Sequence, residues 1–205
     1  SKAFNVGVDF DAFGFVNGTI EYFDRESDSL LLDVPISRTT GFSALTQNFG
    51  AMRNSGVELT LNFNVVNTTD FNWSIGGNAS WITNEITRLN EDFIDGTKIR
   101  EEGQDFQTYF IYQWAGVDPQ TGDPLWFTDE TMTETTSSTT EATRFSTGAT
   151  ATPDVFGGFT TNLSYKGLFV DAQFNYQFGG VIYDLTAWVL QGDGRFTPRS
   201  QTNLV

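Results

Sequence analysis

The side chains of this sequence best able to do acid–base chemistry are the carboxylates of Asp9, Asp11, Glu21, Glu58 and Asp171. Two carboxylates flanking a bond can hydrolyse it as acid and base or as acid and nucleophile. Here, however, the carboxylates are strung along separate segments with no pairing visible in the sequence. The 205 residues include no His and no Cys, which removes the commonest general base, the commonest metal ligand and the thiol nucleophile. It also removes disulfides and thiolate metal sites. Gly76-Gly77, Gly157-Gly158 and Gly179-Gly180 lack the spacing of a phosphate-cradling loop and read as places of bending or close backbone approach. No enzyme activity, cofactor or metal is expected. Aromatic rings are the better candidates for ligand contact: Tyr109, Tyr112, Trp114, Trp126 and Trp188 offer flat apolar faces suited to sugar rings, with Asp and Asn nearby to accept from hydroxyls. Packing of loop against loop is the alternative use of the same rings.

The formal charge is −15, with only 11 Lys and Arg, and these are scattered. A phosphate backbone needs concentrated cations, so nucleic acid is excluded as a partner. Acidic residues gather in 24–33, 91–102 and 118–141, as solvated loops or as a cation site.

The elements that position these groups show in an alternation of apolar and polar residues over six stretches. One face carries Phe4, Val6, Val8, Phe10 and Ala12; then Val16, Gly18, Ile20 and Tyr22; then Val57, Leu59, Leu61, Phe63 and Val65; then Phe71, Trp73, Ile75, Gly77, Ala79 and Trp81. Gly157, Phe159, Thr161, Leu163 and Tyr165 follow, and finally Leu168, Val170, Ala172, Phe174, Tyr176 and Phe178. The opposite face holds Asp9, Asp11, Glu21, Glu58, Asn62, Asn78, Asp171, Gln173 and Asn175 among others, with Phe169 the one apolar exception. Strand side chains point to opposite faces in turn, so each stretch has an oily side and a wet side. The runs match the about 9–11 residues of a tilted membrane-crossing strand better than the about 5–6 of a soluble one. No apolar run is long enough for a transmembrane helix. The reading is all-β: part of a large antiparallel transmembrane β-barrel, with lipid on the oily side and a hydrated lumen on the other. A soluble β-sandwich adhesin or binding module is the competing fold.

Connections alternate between short (13–15, 66–70, 166–167) and long (23–55, 82–156, 179 onward), as in barrels with tight periplasmic turns and long extracellular loops. At Lys166-Gly167 the oily set switches from odd to even numbers, as a two-residue hairpin requires. The connections of three and five residues should preserve parity. Phe71 and Tyr165 beside short turns, and Tyr22, Trp81 and Phe178 beside long ones, suit membrane-interface belts. Within 82–156, residues 104–114 read as a strand, 117–124 as a turn and 125–127 as a brief return. A hairpin over 104–127 in an extracellular loop is favoured, with two more barrel strands as the alternative. Residues 128–152, rich in Thr, Ser and Glu, read as a mobile loop. Ser1 opens almost on a strand and Val205 closes in loop-like sequence, so the whole of 1–205 is read as a fragment of a longer, processed protein.

The run Asn48-Phe49-Gly50-Ala51-Met52-Arg53-Asn54-Ser55-Gly56-Val57-Glu58-Leu59 resembles a signature of the SusC/RagA group of TonB-linked outer-membrane transporters. Asn5–Phe10 with Thr19–Asp24, the Asp118-Pro119-Gln120-Thr121-Gly122-Asp123-Pro124 element, and Thr152-Pro153 leading to Gly157-Gly158 and on to Phe174–Gly180 are similar to further family segments, in family order. The resemblance implies a barrel of about 22 strands. It also implies an N-terminal plug and a TonB box, both absent from this chain together with the final strands. It further implies residence in the outer membrane of a Gram-negative bacterium, coupling to the TonB complex through regions outside this chain, a SusD-like surface lipoprotein as lid, and import of glycans or peptides. The loop aromatics could equally meet that lid. Arg53 could pair with lumen carboxylates, and Gly50 and Gly56 suit tight backbone where a loop re-enters the barrel. A passive porin-like channel is the nearest functional alternative.

Overall fold

A computed structural model of the chain describes residues 1–37, 39 and 41–186. Its strands are β1 (Lys2–Ala12), β2 (Val16–Pro35), β3 (Ala44–Asn67), β4 (Phe71–Leu89), β5 (Phe93–Asp95), β6 (Lys98–Arg100), β7 (Ile111–Tyr112), β8 (Trp114–Val117), β9 (Pro124–Phe127), β10 (Thr135–Thr136), β11 (Arg144–Phe145), β12 (Pro153–Tyr165) and β13 (Leu168–Gly179). Six of them form one antiparallel sheet in the order β1-β2-β3-β4-β12-β13. The alternating residues fall into continuous cross-strand rows. Val8, Ile20, Leu59, Ala79, Gly157 and Tyr176 make one oily row, and Asp9, Thr19, Thr60, Asn78, Gly158 and Asn175 the neighbouring wet one.

Nothing among the described residues covers the oily face. Val8 is 63% exposed, Val170 60% and Phe174 50%. A β-sandwich would bury these side chains between two sheets about 10 Å apart, so the soluble-sandwich expectation fails. Aromatic rows frame the bare face. Phe4 meets Tyr22 at one end (ring centroids 6.5 Å apart), and Phe71 meets Tyr165 edge-on at the other (6.3 Å).

The Lys166-Gly167 hairpin has the expected register, with Tyr165 opposite Leu168. Both turn residues are left-handed (φ 47° and 89°), a backbone whose twist matches that of the flanking strands. The turn at 13–15 preserves parity, Ala12 facing Val16. The connection at 66–70 differs. A bulge between Asn64 and Val66 sets Val66 opposite Trp73, and strand pairing continues to Asn67 and Asn72. A turn of 68–70 remains, closed by Thr68, whose hydroxyl accepts from Phe71 N at 3.0 Å.

The largest departure from expectation is strand length. β2, β3 and β4 run 20, 24 and 19 residues, so most of the long connection assigned to 23–55 is strand and only 36–43 links β2 to β3. Past Tyr22 the oily register turns polar, with Asp24 and Glu26 on β2, Arg53 and Ser55 on β3, and Thr83 and Glu85 on β4. Once both faces are wet, alternation no longer marks a strand.

Residues 90–152 add no strand to the main sheet, since β4 is followed directly by β12. They fold into small two- and three-stranded sheets beside the upper edge of β4. That edge is satisfied by loop backbone: Ile86 N donates to Gln104 O (2.9 Å), and Gly103 N donates to Ile86 O (2.8 Å). The strand expected over 104–114 is broken into β7 and β8, and the hairpin is the shorter pair β8–β9. The segment 128–152, expected to be mobile, holds β10 and β11 and places Phe145 in a fully buried position.

Candidate functional site

The wet face of the six-stranded sheet is paved with carboxylates, amides and hydroxyls. Thr19 Oγ1 donates to Asp9 Oδ1 (2.6 Å), Asn62 Nδ2 to Asn17 Oδ1 (3.1 Å), and Asn5 Nδ2 to Glu21 Oε1. Glu21 stands directly opposite Glu58, a like-charge pairing that sheets ordinarily avoid. Asp11 faces Asn17, and Asp171 faces Asn162. Gly158 N donates to Asn78 Oδ1 (3.2 Å). A shallow concavity of about 360 Å³ has Asn62, Asn78, Gln173 and Asn175 in its lining. The side chains named from sequence as wet, Asp9, Asp11, Glu21, Glu58, Asn62, Asn78, Asp171, Gln173 and Asn175, therefore share one face. The side chains named as oily, Val6, Val8, Phe10, Ile20, Leu59, Leu61, Phe63, Trp73, Ile75, Val170, Phe174 and Tyr176, share the other. No metal-holding group of three or more His, Cys, Asp or Glu occurs among the described residues.

Arg53 corrects one expectation. Its Nε donates to Asp24 Oδ1 at 2.9 Å while Nη2 meets Oδ2, a two-pronged contact. Asp24 and Arg53 both lie in register with the oily face, beyond its aromatic row, so Arg53 does not reach the wet-face carboxylates. It stands in a cross-strand line of alternating charge, Lys2–Glu26–Arg53–Glu85. Asn48–Gly56, expected to mark a loop's re-entry, is continuous strand within β3. Gly56 is required there: a Cβ would strike the Trp81 carbonyl and lie 2.8 Å from Phe23 Cζ.

The loop aromatics separate into different environments. Tyr109 is buried, lies under the Lys98 ammonium (5.0 Å to the ring centroid), and accepts from Tyr183 N (3.2 Å). It therefore packs loop against chain. Trp114 and Trp126 pair edge-to-face at 6.2 Å, and Trp114 stays 58% exposed. Tyr112 is exposed beneath the Arg144 guanidinium (5.1 Å). Trp188 lies outside the described residues.

Sequence reasoning missed the groups that order the loop. Asp95-Gly96 begins the tight β5–β6 hairpin, and Asp-Gly is the dipeptide signal that could have found it. Arg100, buried, donates to Asp95 Oδ2 (2.9 Å) and to the Phe106 carbonyl, with its guanidinium 3.9 Å from the Phe106 ring centroid. Burial lowers both the Arg100 and Lys98 pKa values from their ordinary range, and Arg100 further lowers that of Lys98. Asp105 Oδ1 accepts from Gln107 N (2.6 Å), Thr152 Oγ1 (2.9 Å) and Thr150 Oγ1, clamping the loop where it returns to β12. No local sequence pattern announces that clamp, because its partners lie about 45 residues away.

A sheet of long strands, oily and bare on one side and polar on the other, with tight turns at one end, is a section of a large β-barrel wall. The chain belongs to the family described as TonB dependent receptor-like, beta-barrel, which matches residues 1–194. It is 41% identical over 95 residues to the TonB-dependent receptor SusC of Bacteroides thetaiotaomicron, covering 43% of this chain and 9% of SusC. It is 30% identical over 195 residues to the TonB-dependent receptor P26 of Formosa agariphila, covering 84% of this chain and 19% of that receptor. Among solved structures, the RagAB peptide importer in its 'closed-closed' state superimposes with a TM-score of 0.75 at 31% identity, over 87% of this chain and 21% of the matched one. The 'open-open' state gives 0.74 at 30% identity, over 87% and 20%. The chain thus spans about a fifth or less of the relatives it matches.

Proposed function

We propose that this chain is barrel wall from an outer-membrane, TonB-dependent active importer of bulky nutrients, oligosaccharide or peptide, working with a SusD-like surface lipoprotein. The observation that carries the reading is the bare oily face between aromatic rows. From Phe71 to Trp81 the strand advances ten residues. At about 3.4 Å each and a tilt near 40° this is roughly 26 Å of height, against about 25 Å for the apolar band of an outer-membrane barrel. Lipid covers that face, and the polar rows wet the lumen. Residues 82–156 lie on the extracellular side, with the exposed rings of Tyr112 and Trp114 and the half-buried Trp126 turned to substrate or to the lipoprotein lid. The similar RagAB is a peptide importer, which favours keeping peptide beside glycan as the cargo class.

The test uses the complete protein in its native membrane. It should be extracted only with detergent and show a heat-modifiable gel shift. It should also co-purify with a surface lipoprotein and a retained oligomer identifiable by mass spectrometry, and lose uptake when TonB is deleted. Uptake that persists without TonB would replace this reading with a passive porin-like channel. Extraction without detergent would end the membrane assignment.

A further inference from the structure

Above the aromatic row the oily register of β1 to β4 turns from apolar to charged over two rows. Tyr22 and Trp81 both stand opposite Val57. The next row holds Phe4, Asp24, Ser55 and Thr83, and the row beyond it Lys2, Glu26, Arg53 and Glu85. At about 3.4 Å per residue and a tilt near 40° these rows stand roughly 5 and 10 Å above Tyr22. With the rings of Tyr22 and Trp81 at the edge of the hydrocarbon, that is headgroup height.

A concavity of about 390 Å³ opens on this face, with Lys2, Phe4, Asp24, Glu26, Arg53 and Thr87 in its lining. Its cations have donors to spare. Asp24 takes Nε and Nη2 of Arg53, and none of the described residues is bonded to Nη1. Lys2 Nζ stays 3.9 Å from Glu26 Oε2, beyond hydrogen-bond reach, and the Lys2 side chain is 82% exposed. Thr87 is the extra residue of a bulge opposite Ala51 and Met52. Its buried Oγ1 has no hydrogen-bond partner among the described residues, which calls for a group that they do not supply.

We propose that this concavity binds the phosphorylated headgroup of an outer-leaflet lipid, with a divalent cation bridging the phosphate to Glu26. The proposal rests on the membrane reading above, which sets this face against the outer leaflet. Exposed ion pairs contribute little to stability, so the fold alone does not explain a row that alternates in sign over four strands. Such a row complements a layer whose own charges alternate, phosphate with the metal ions that hold phosphates together. Arg53 and Lys2, on strands about 10 Å apart, donate to phosphate oxygens, a match for which the guanidinium fork is especially suited. Glu26 between them would repel the phosphate without a bridging ion, and hard divalent ions take a carboxylate and a phosphate together. Phe4, 59% exposed beside Asp24, meets the start of the acyl chains.

The complete protein, purified in detergent with any partner it retains, is titrated with fluorescent lipid A in the presence of magnesium. Asp24→Asn combined with Arg53→Gln removes the pair without leaving a lone charge and should weaken binding about tenfold, the loss of one charge-assisted hydrogen bond. Lys2→Gln, at an exposed side chain, should weaken it about threefold. Chelation of magnesium should weaken it at least as far as the double substitution. Arg25→Gln, on the wet face in the neighbouring row, should change nothing. Lipid A binding that survives the double substitution or chelation unchanged would overturn the proposal, as would equal affinity for phosphatidylethanolamine, whose own ammonium takes the place of the metal. The heat-modifiable shift of each variant reports separately on the barrel, so a failed barrel and a failed lipid site are told apart.

Discussion

Trp73 Nε1 donates to Thr161 Oγ1 at 2.9 Å across the β4–β12 pair, on the oily face. On the same face Tyr176 Oη donates to the Asn78 carbonyl (2.9 Å). The polar atoms on this otherwise apolar face are thus bonded to one another, as the proposed placement against lipid would demand.

Breaking that pair from one side should cost more than removing it whole. Thr161→Val leaves the indole N–H unpaired and should destabilise the barrel by about 1–3 kcal/mol. Thr161→Val combined with Trp73→Phe should recover most of the loss. The midpoint of the heat-modifiable gel shift, compared over a double-mutant cycle, measures the difference.

Leu61 and Asn62 are chain neighbours on opposite faces, Leu61 opposite Gly18 and Gly77, and Asn62 opposite Asn17 and Gly76. Leu61→Arg puts a charge near the middle of the oily band, at about 2–4 kcal/mol, and should sharply reduce the amount of folded protein in the membrane. Asn62→Arg should assemble close to normally. Quantifying the folded band for each variant checks the assignment of faces.

Gly56→Ala adds one methyl where the Trp81 carbonyl and the Phe23 ring already meet the glycine. Displacing backbone in a paired sheet should cost about 1–3 kcal/mol. A matched Gly7→Ala change, whose added methyl would meet no atom closer than 3.5 Å, should affect assembly far less. Thermal midpoints of the two variants make the comparison.

Asp129 holds its loop through carboxylate bonds to Thr131 Oγ1, to Thr133 N (3.1 Å) and Oγ1 (3.0 Å), and to Glu134 N (2.9 Å). The Thr131 hydroxyl first, then the Glu134 amide, lower its pKa from 3.8 to about 2. Because the folded pKa is depressed, the stabilisation is complete above the unfolded value and fades as pH falls through about 2. The protection of amides over 128–136, taken relative to their intrinsic exchange rates, should therefore be flat from neutral pH to about 4 and fall only below it. Asp129→Asn should exchange faster at neutral pH and lose that acid-dependent step.

The sheet was readable wherever one face is oily and the other wet, because that division imposes period-two patterning. The odd-to-even switch at Lys166-Gly167 fixed a register that Tyr165 and Leu168 keep. Legibility ended at Tyr22 and Trp81. Beyond them Asp24, Glu26, Arg53 and Glu85 occupy outward positions held by cross-strand bonds and charge pairs, which leave no periodic mark. The loop was obscure for a related reason. Its order comes from Asp105 and Asp129 binding backbone, and from one buried Phe145, so its polar composition resembles that of a segment without fixed structure. The ring at Tyr109 shows the limit for site residues, since sequence names an aromatic but not which side of it is covered.

The length of β3 sets how far the wall reaches beyond its oily band. Twenty-four residues, paired to β2 from Ala44 to Phe63 and to β4 from Gly50 to Asn67, make a strand about 80 Å long, or about 60 Å of height at a tilt near 40°. A wall so laced is stiff above its oily band.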